Sequence, residues 1–132
     1  MRFDIISDTN YEAKIDQVTD TFPARELEDW LHFKNYGSDL VDIGIVLMCR
    51  NPEYNFKQRI RMDRKDKILY IDLMLNYYYF TSNITQEDRI NAVAKKIIEE
   101  VPPIVKKYKF KDFDTDLFIN DLKMYFIEIG WI

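Results

Sequence analysis

Residues 41 to 80 contain three largely apolar runs separated by two short polar breaks, and this pattern constrains the fold more than any other part of the chain. Apolar and polar side chains alternate along each run, which is typical of β-strands with one buried face. Short breaks favour antiparallel neighbours in a sheet. The stretch therefore predicts a three-stranded antiparallel β-meander over about residues 41–80.

The register of the second and third strands follows from the break between them. A four-residue loop at 64–67 would place Asp63 opposite Ile68 and would bring the apolar pairs onto one face. A slip by one residue would bury two arginines, so the pattern strongly specifies this register. The predicted pairs on the other face are Arg61 with Tyr70 and Arg59 with Asp72.

The first strand is predicted to pair with the second. Placing Cys49 opposite Phe56 sets Ile45 against Ile60, with Asn51-Pro52 as a turn signal in the connection. The second face of this meander is not cleanly polar, so either another element covers part of it or it is an interaction surface. Its apolar and aromatic members are Val46, Met48, Tyr70, Met74 and Tyr78.

The segments before the meander predict one short strand and two helices. Residues 2–6 favour a strand, and apolar side chains at helical spacing from Tyr11 to Phe22 favour a helix. Pro23 suits a first helical turn, which predicts a second helix over about 23–33.

The segment after the meander predicts further helices. Thr85 begins a capping-box pattern, and the helical period then runs over about 86–100. Pro102-Pro103 are expected to break or kink this helix, with a short helical piece after them. Asp114 or Thr115 can cap a last helix, although a strand over 124–131 is a rival interpretation. The predicted fold is a single α+β domain over 1–132, with the N-terminal and C-terminal helices packed on one face of the meander.

Composition and charge limit the classes of function. The chain has 132 residues, three glycines, and Cys49 as its only cysteine, so an internal disulfide is impossible and a reducing cytoplasm is expected. The N-terminus lacks the apolar core of a signal peptide, and no run approaches the ~20 apolar residues of a membrane span. Residues 1–55 hold eleven Asp/Glu against five Lys/Arg, a net charge of −6, whereas residues 56–132 carry +2. An acidic first part disfavours nucleic acid and suits a basic partner.

Reactive patterns are weak. Acids at 112, 114 and 116 resemble a calcium loop, but Leu117 and Lys123 replace its required Gly and Glu, so helix capping explains them better. Cys49 and His32 are the only residues available for a nucleophile–base pair of thiol and imidazole, and no pattern supports their pairing. Carboxylates are plentiful enough for a hydrolase that uses them alone, but they form no recognisable local pattern. A basic hairpin tip around 59–67 could contact phosphates, although interleaved acids weaken its field. No catalytic residue, cofactor site or metal site is predicted.

The runs DIGIVLMCR (42–50) and FKQRIRMDRKDKILYIDLML (56–75) resemble the small bacterial immunity proteins encoded beside polymorphic toxins, in particular the family numbered forty-four. The resemblance covers about residues 25–80, with Trp30 upstream, and the helices over 85–132 agree in general character. It implies a cytoplasmic antidote that binds and blocks a toxin domain without catalysis of its own.

The predicted partner is therefore a cognate toxin, for which a basic nuclease domain is one expected type. Nucleic acid and membranes are not expected partners, and the protein is expected to be a monomer or a homodimer. An alternative function is a non-inhibitory or self-associating adaptor that uses the mixed face of the meander. The residues predicted to contact the toxin are Glu26, Glu28, Asp29, Trp30, Asp39 and Asp42.

Overall fold

A computed structural model describes residues 1–8 and 24–132. The helix predicted between Tyr11 and Phe22 lies outside the described residues. The described elements are β1 (Arg2–Asp8), α1 (Ala24–His32), β2 (Asp42–Met48), β3 (Ile60–Asp63), β4 (Ile68–Met74), α2 (Tyr77–Phe80), α3 (Gln86–Tyr108) and α4 (Thr115–Glu128).

The sheet is mixed, and its strand order is β1-β2-β4-β3. β1 and β4 both run parallel to β2, and only β3 is antiparallel to its neighbour β4. The predicted antiparallel meander is therefore wrong in one pairing, because β4 lies between β2 and β3. The pairs of Ile45 with Ile60 and of Cys49 with Phe56 do not form.

The physical reason for this order is the difference between β3 and β4. Leu69, Ile71 and Leu73 of β4 are fully buried, so this strand needs neighbours on both sides. β3 has four residues and is surrounded by cations, and short charged strands are typical of sheet edges because they resist unwanted pairing.

The predicted β3–β4 register is confirmed. Arg61 pairs with Tyr70 and Asp63 with Ile68, across a turn at 64–67. The Asp72 backbone N–H also donates to the Arg59 carbonyl at 2.9 Å, which continues the pairing beyond the strand.

The predicted third strand is too long. β4 ends at Met74, and the Asn76 side chain accepts a hydrogen bond from the Tyr79 backbone N–H at 3.1 Å. Asn76 therefore caps the single turn α2, which the sequence pattern had placed in the strand.

Three helices match their predictions with different accuracy. α1 lies within the predicted range, and Asp114 caps α4, so the strand interpretation of 124–131 is wrong. α3 begins with the predicted capping box at Thr85 but continues through both prolines to Tyr108. Val101 and Val105 are fully buried, and burial of each contributes roughly 1.5–3 kcal/mol, which offsets the hydrogen bonds lost at Pro102 and Pro103.

The helices described within residues 24–132 pack on one face of the sheet, as predicted for them. This covered face consists of the alternate strand residues that include Ile43, Ile45, Leu69 and Ile71, all fully buried. Those residues form one apolar cluster with helix side chains. The helix members with no exposed surface include Leu27, Leu31, Val93, Ile97, Leu122 and Phe126.

Candidate functional site

The opposite face of the sheet, here called the open face, consists of the other alternate strand residues. Two hollows lie on this face. Among the helix residues described in 24–132, only Glu28 of α1 lines either of them, at the margin of the face. Cross-strand neighbours form two rows from β1 to β3. The rows are Asp4, Gly44, Tyr70 and Arg61, and Ile6, Val46, Asp72 and Arg59.

The open face carries opposite charges at its two edges. β1 contributes the carboxylates Asp4 and Asp8, whereas β3 and the residues before it contribute Lys57, Arg59 and Arg61. Neighbouring strands lie about 4.8 Å apart, so the two edges are separated by roughly 14 Å. Arg2 of β1 and Asp63 of β3 alternate onto the same face, which leaves a charge of −1 at the β1 edge and +2 at the β3 edge. The face is therefore dipolar, with its negative side next to α1.

A groove of about 990 Å³ lies over the positive half of the open face. The connection between β2 and β3 supplies one wall, because Gln58 donates a side-chain hydrogen bond to the Asp72 carbonyl at 2.7 Å. Val46 and Met48 lie among the lining residues and add apolar surface. The remaining lining side chains that matter here are Asp8, Arg50, Phe56, Lys57, Arg59, Arg61, Tyr70 and Asp72.

Gly44, Tyr70 and Arg61 form a layered contact in one row of the open face. A Cβ atom at Gly44 would lie 3.1 Å from the Cδ1 atom of Tyr70, so the ring lies closely over this glycine. The Arg61 guanidinium lies 4.6 Å from the centre of the same ring. This stacking holds Arg61 while leaving its hydrogen-bond donors available.

Both carboxylates of the groove already have partners within the protein. The Arg50 Nε donates to Asp8 at 2.5 Å, and this hydrogen bond raises the pKa of Arg50. The Arg50 guanidinium also lies 5.6 Å from the centre of the Phe56 ring. The Asp72 carboxylate accepts a hydrogen bond from the Arg59 backbone N–H at 3.0 Å.

The predicted contact residues on α1 differ in their availability. Glu26 and Asp29 are exposed. Glu28 forms an ion pair with Arg2 at 3.2 Å, and Arg2 also pairs with Asp4 at 3.3 Å. The carboxylates of Asp4 and then Glu28 raise the pKa of Arg2. Glu28 therefore connects α1 to the negative edge of the open face.

The three other predicted contact residues are spread over neighbouring segments. Trp30 packs against Tyr125 with ring centres 5.2 Å apart, and the Lys34 ammonium lies 4.6 Å from the Trp30 ring. Asp39 accepts a hydrogen bond from the Asp112 backbone N–H at 2.8 Å, so it has a structural role. Asp42 begins β2 in the same cross-strand row as Arg2.

The acids that resembled a calcium loop have structural partners. Asp112 accepts hydrogen bonds from the hydroxyl and the backbone N–H of Ser38, which lower the pKa of the Asp112 carboxyl. Asp114 accepts from the Leu117 backbone N–H at 3.1 Å as the cap of α4. Within residues 1–8 and 24–132, no three His, Cys, Asp or Glu side chains are grouped to hold a metal ion.

Cys49 and His32 lie in different environments. Cys49 is fully buried, and burial raises the pKa of its thiol to about 11. His32 is exposed at the end of α1, where its ring contacts Phe33 with centres 5.3 Å apart. A buried, protonated thiol is a poor nucleophile.

The mixed face of the sheet was predicted from the sequence, but the groove wall formed by the β2–β3 connection was not. Phe56 was placed inside a strand, and Gln58 received no role. The pairing of Arg50 with Asp8 joins residues far apart in sequence, so no local pattern could have revealed it. The cation spacing at 57, 59 and 61 was a usable signal, because alternate strand residues share one face.

A helix-covered core and a grooved, dipolar sheet face that the described helices leave uncovered define a small α+β protein. The chain belongs to the immunity protein 44 family, whose family model matches residues 1–128. The predicted family is thereby confirmed, and with it an immunity role.

Comparisons with curated proteins and with solved structures give no match. In the described parts of the chain, no helix combines the length and the apolar character needed to cross a membrane.

Proposed function

We propose that this protein is a non-catalytic cytoplasmic antidote that binds a cognate bacterial toxin domain and blocks it by covering its surface. The observation that carries the proposal is the match of the immunity protein 44 family over residues 1–128. Blocking by surface contact needs no reacting groups of its own, and an exposed sheet face of mixed character suits such contact.

The proposed toxin surface is basic, as in a nuclease domain that binds nucleic acid. Support comes from the net charge of −6 over residues 1–55 and from the exposed carboxylates of Glu26 and Asp29. An acidic antidote would be steered toward such a toxin and would associate with it faster at low salt. The proposed contact set is Glu26, Glu28, Asp29, Trp30, Asp39 and Asp42.

Co-expression with the toxin domain encoded in the preceding reading frame tests the antidote proposal. Cells that produce the toxin should grow only when this protein is also present, and the two chains should purify as a complex. Loss of growth in the presence of this protein, together with no complex, would contradict the proposal.

Charge reversal tests the acidic contact set. The double substitution Glu26→Lys and Asp29→Lys is expected to weaken toxin binding by about tenfold or more, mainly through a slower association rate at low salt. The matched control is Glu87→Lys with Glu99→Lys, which makes the same charge change on exposed positions of α3. Equal weakening by both pairs would assign the effect to net charge alone.

A second candidate function is self-association or an adaptor role. The observation in its favour is that Val46, Met48, Tyr70 and Met74 all line hollows on the sheet, while Tyr78 is 67% exposed. Light scattering over a range of protein concentrations tests it, with Val46→Lys as the disrupting variant. A wild-type protein that stays monomeric throughout would contradict self-association.

A further inference from the structure

The positive half of the open face carries cationic side chains that form no ion pair within the described part of the protein. Four basic side chains line the groove, and Arg50 is committed to Asp8. Among the ion pairs of the described residues, none engages Lys57, Arg59 or Arg61. The two carboxylates of the groove are occupied by internal donors. Three cations are therefore left for an outside partner, on a protein whose net charge is −4.

The Arg61 side chain and the backbone that carries Lys57 and Arg59 are held in place before any partner arrives. Arg61 is stacked on Tyr70, which in turn lies over Gly44. Hydrogen bonds from Gln58 and Arg59 to Asp72 fix the segment that carries Lys57 and Arg59 against β4. A side chain that is already ordered loses less conformational entropy on binding, so preorganisation favours affinity.

The lining of the groove also has the composition of a protein interface. Arginine, tyrosine, phenylalanine and methionine are enriched where proteins bind each other, and here Arg61, Tyr70, Phe56 and Met48 line one hollow. Arginine side chains bind carboxylates through two parallel hydrogen bonds, which orients the partner as well as attracting it.

We propose that this groove binds an acidic segment of the toxin, with Lys57, Arg59 and Arg61 pairing with its carboxylates and with the half-buried Val46 contacting its apolar side chains. The inference rests on the proposed function and adds a second, oppositely charged contact to it. A toxin that docks across the open face would place a basic surface near β1 and α1 and an acidic segment over β3.

The two contact regions form one continuous surface. A second hollow, of about 340 Å³, is lined by Arg2, Asp4 and Glu28 at the negative edge. It shares Val46 and Tyr70 with the groove. A single toxin domain can therefore reach both the acidic edge and the basic groove, and the dipolar face would select one orientation.

The floor of the groove favours a peptide over a nucleic acid. Asp8 and Asp72 line the groove together with the cations, and a regular phosphate backbone would bring negative charge close to both carboxylates. A protein segment can place its carboxylates only opposite the cations and leave apolar or polar side chains near Asp8 and Asp72.

Binding of the toxin domain from the preceding reading frame, inactivated by mutation, tests the proposal. The variant Arg59→Glu with Arg61→Glu is expected to weaken binding by about thirtyfold or more. The matched control is Arg64→Glu with Lys65→Glu, which makes the same charge change at the exposed turn and should weaken binding less than about threefold. Arg59→Gln with Arg61→Gln gives a milder variant, and urea unfolding confirms that each variant is folded.

A labelled peptide that alternates Glu with Thr provides a second measurement, independent of the toxin. It should bind the wild-type protein at low salt and lose binding in Arg59→Glu with Arg61→Glu, while the same peptide with Lys in place of Glu should not bind. If toxin binding fails but this peptide binds, the proposed function is wrong and the acidic-ligand groove stands.

Three results would overturn the inference. One is equal weakening of toxin binding by the groove pair and by the turn pair, which would leave only a net-charge effect. Another is unchanged binding of both the toxin and the Glu peptide when Arg59 and Arg61 are replaced by Glu. The last is tighter binding of a single-stranded oligonucleotide than of the peptide, lost in the same variant, which would make the groove a nucleic-acid site.

Discussion

The covered face and the open face belong to the same strands but are built from different kinds of side chain. On β2, Ile43, Ile45 and Leu47 are fully buried under helices, whereas Gly44 and Val46 line hollows on the other side. On β2 and β4 the covered face is apolar throughout. The open face places Asp4 and Asp8 at one edge, Arg59 and Arg61 at the other, and the Tyr70 ring between them.

This difference separates what stabilises the fold from what the fold presents. Burial of apolar area is the main favourable term in folding, and the covered face forms one buried apolar cluster with the helices. Surface ion pairs such as that of Arg2 with Glu28 contribute only about 0–1 kcal/mol. The charges of the open face therefore contribute little to stability, and we propose that they serve recognition of the toxin.

The largest expected effect comes from truncating the same residue type on the two faces. Ile45→Ala should lower the free energy of unfolding by about 2–5 kcal/mol, because it leaves a cavity in the core. Ile6→Ala removes an isoleucine that is 58% exposed on the neighbouring strand, and should cost less than about 1 kcal/mol. Urea unfolding measures both, and similar losses would show that the open face is also a core.

An intermediate effect is expected at alkaline pH. The buried Cys49 thiol keeps its proton up to a pKa of about 11, whereas the unfolded chain releases it near the ordinary value of 9.0. Its contribution to stability is therefore complete below pH 9 and is lost as the pH rises toward 11, by up to roughly 2–3 kcal/mol.

The measurement is the pH dependence of the free energy of unfolding, with Cys49→Ala as the control. In this variant the free energy of unfolding should fall less steeply with pH above 9, because the contribution of the Cys49 thiol is gone. The part of the fall that comes from lysines and tyrosines should remain. Parallel curves for the two proteins would mean that the covered face does not exclude water at Cys49.

The smallest effect on stability, and a selective one, is expected at Gly44. A methyl group there would push the Tyr70 ring by a few tenths of an ångström and move Arg61 with it. Gly44→Ala should change the free energy of unfolding by less than about 1 kcal/mol but weaken toxin binding several-fold. Calorimetric titration with the inactivated toxin measures the second quantity, and unchanged affinity would remove Tyr70 and Arg61 from the interface.

The sequence predicted local pairings better than distant ones. The β3–β4 register was correct because a short loop and a period of two residues determine it together. The β2–β3 pairing was wrong because sequence neighbours were taken as sheet neighbours. The charges around Ile60 were the signal of an edge strand.

The candidate site was only partly predictable for the same reason. The exposure of Glu26 and Asp29 followed from the helical period of α1. The hydrogen bond between Asp39 and the Asp112 backbone, and the closure of the groove by Gln58, depend on tertiary contacts that no local pattern encodes.

The position of β4 between β2 and β3 also restricts the order in which the chain can assemble. The β3–β4 hairpin is local and can form in about 1–10 μs, before the parallel pairing with β2 closes the longer segment. If β3 met β2 first, as neighbouring strands in a chain commonly do, β4 would lose its central place. We therefore expect the antiparallel β2–β3 pairing to compete with the native strand order, and early formation of the β3–β4 hairpin to favour the native order.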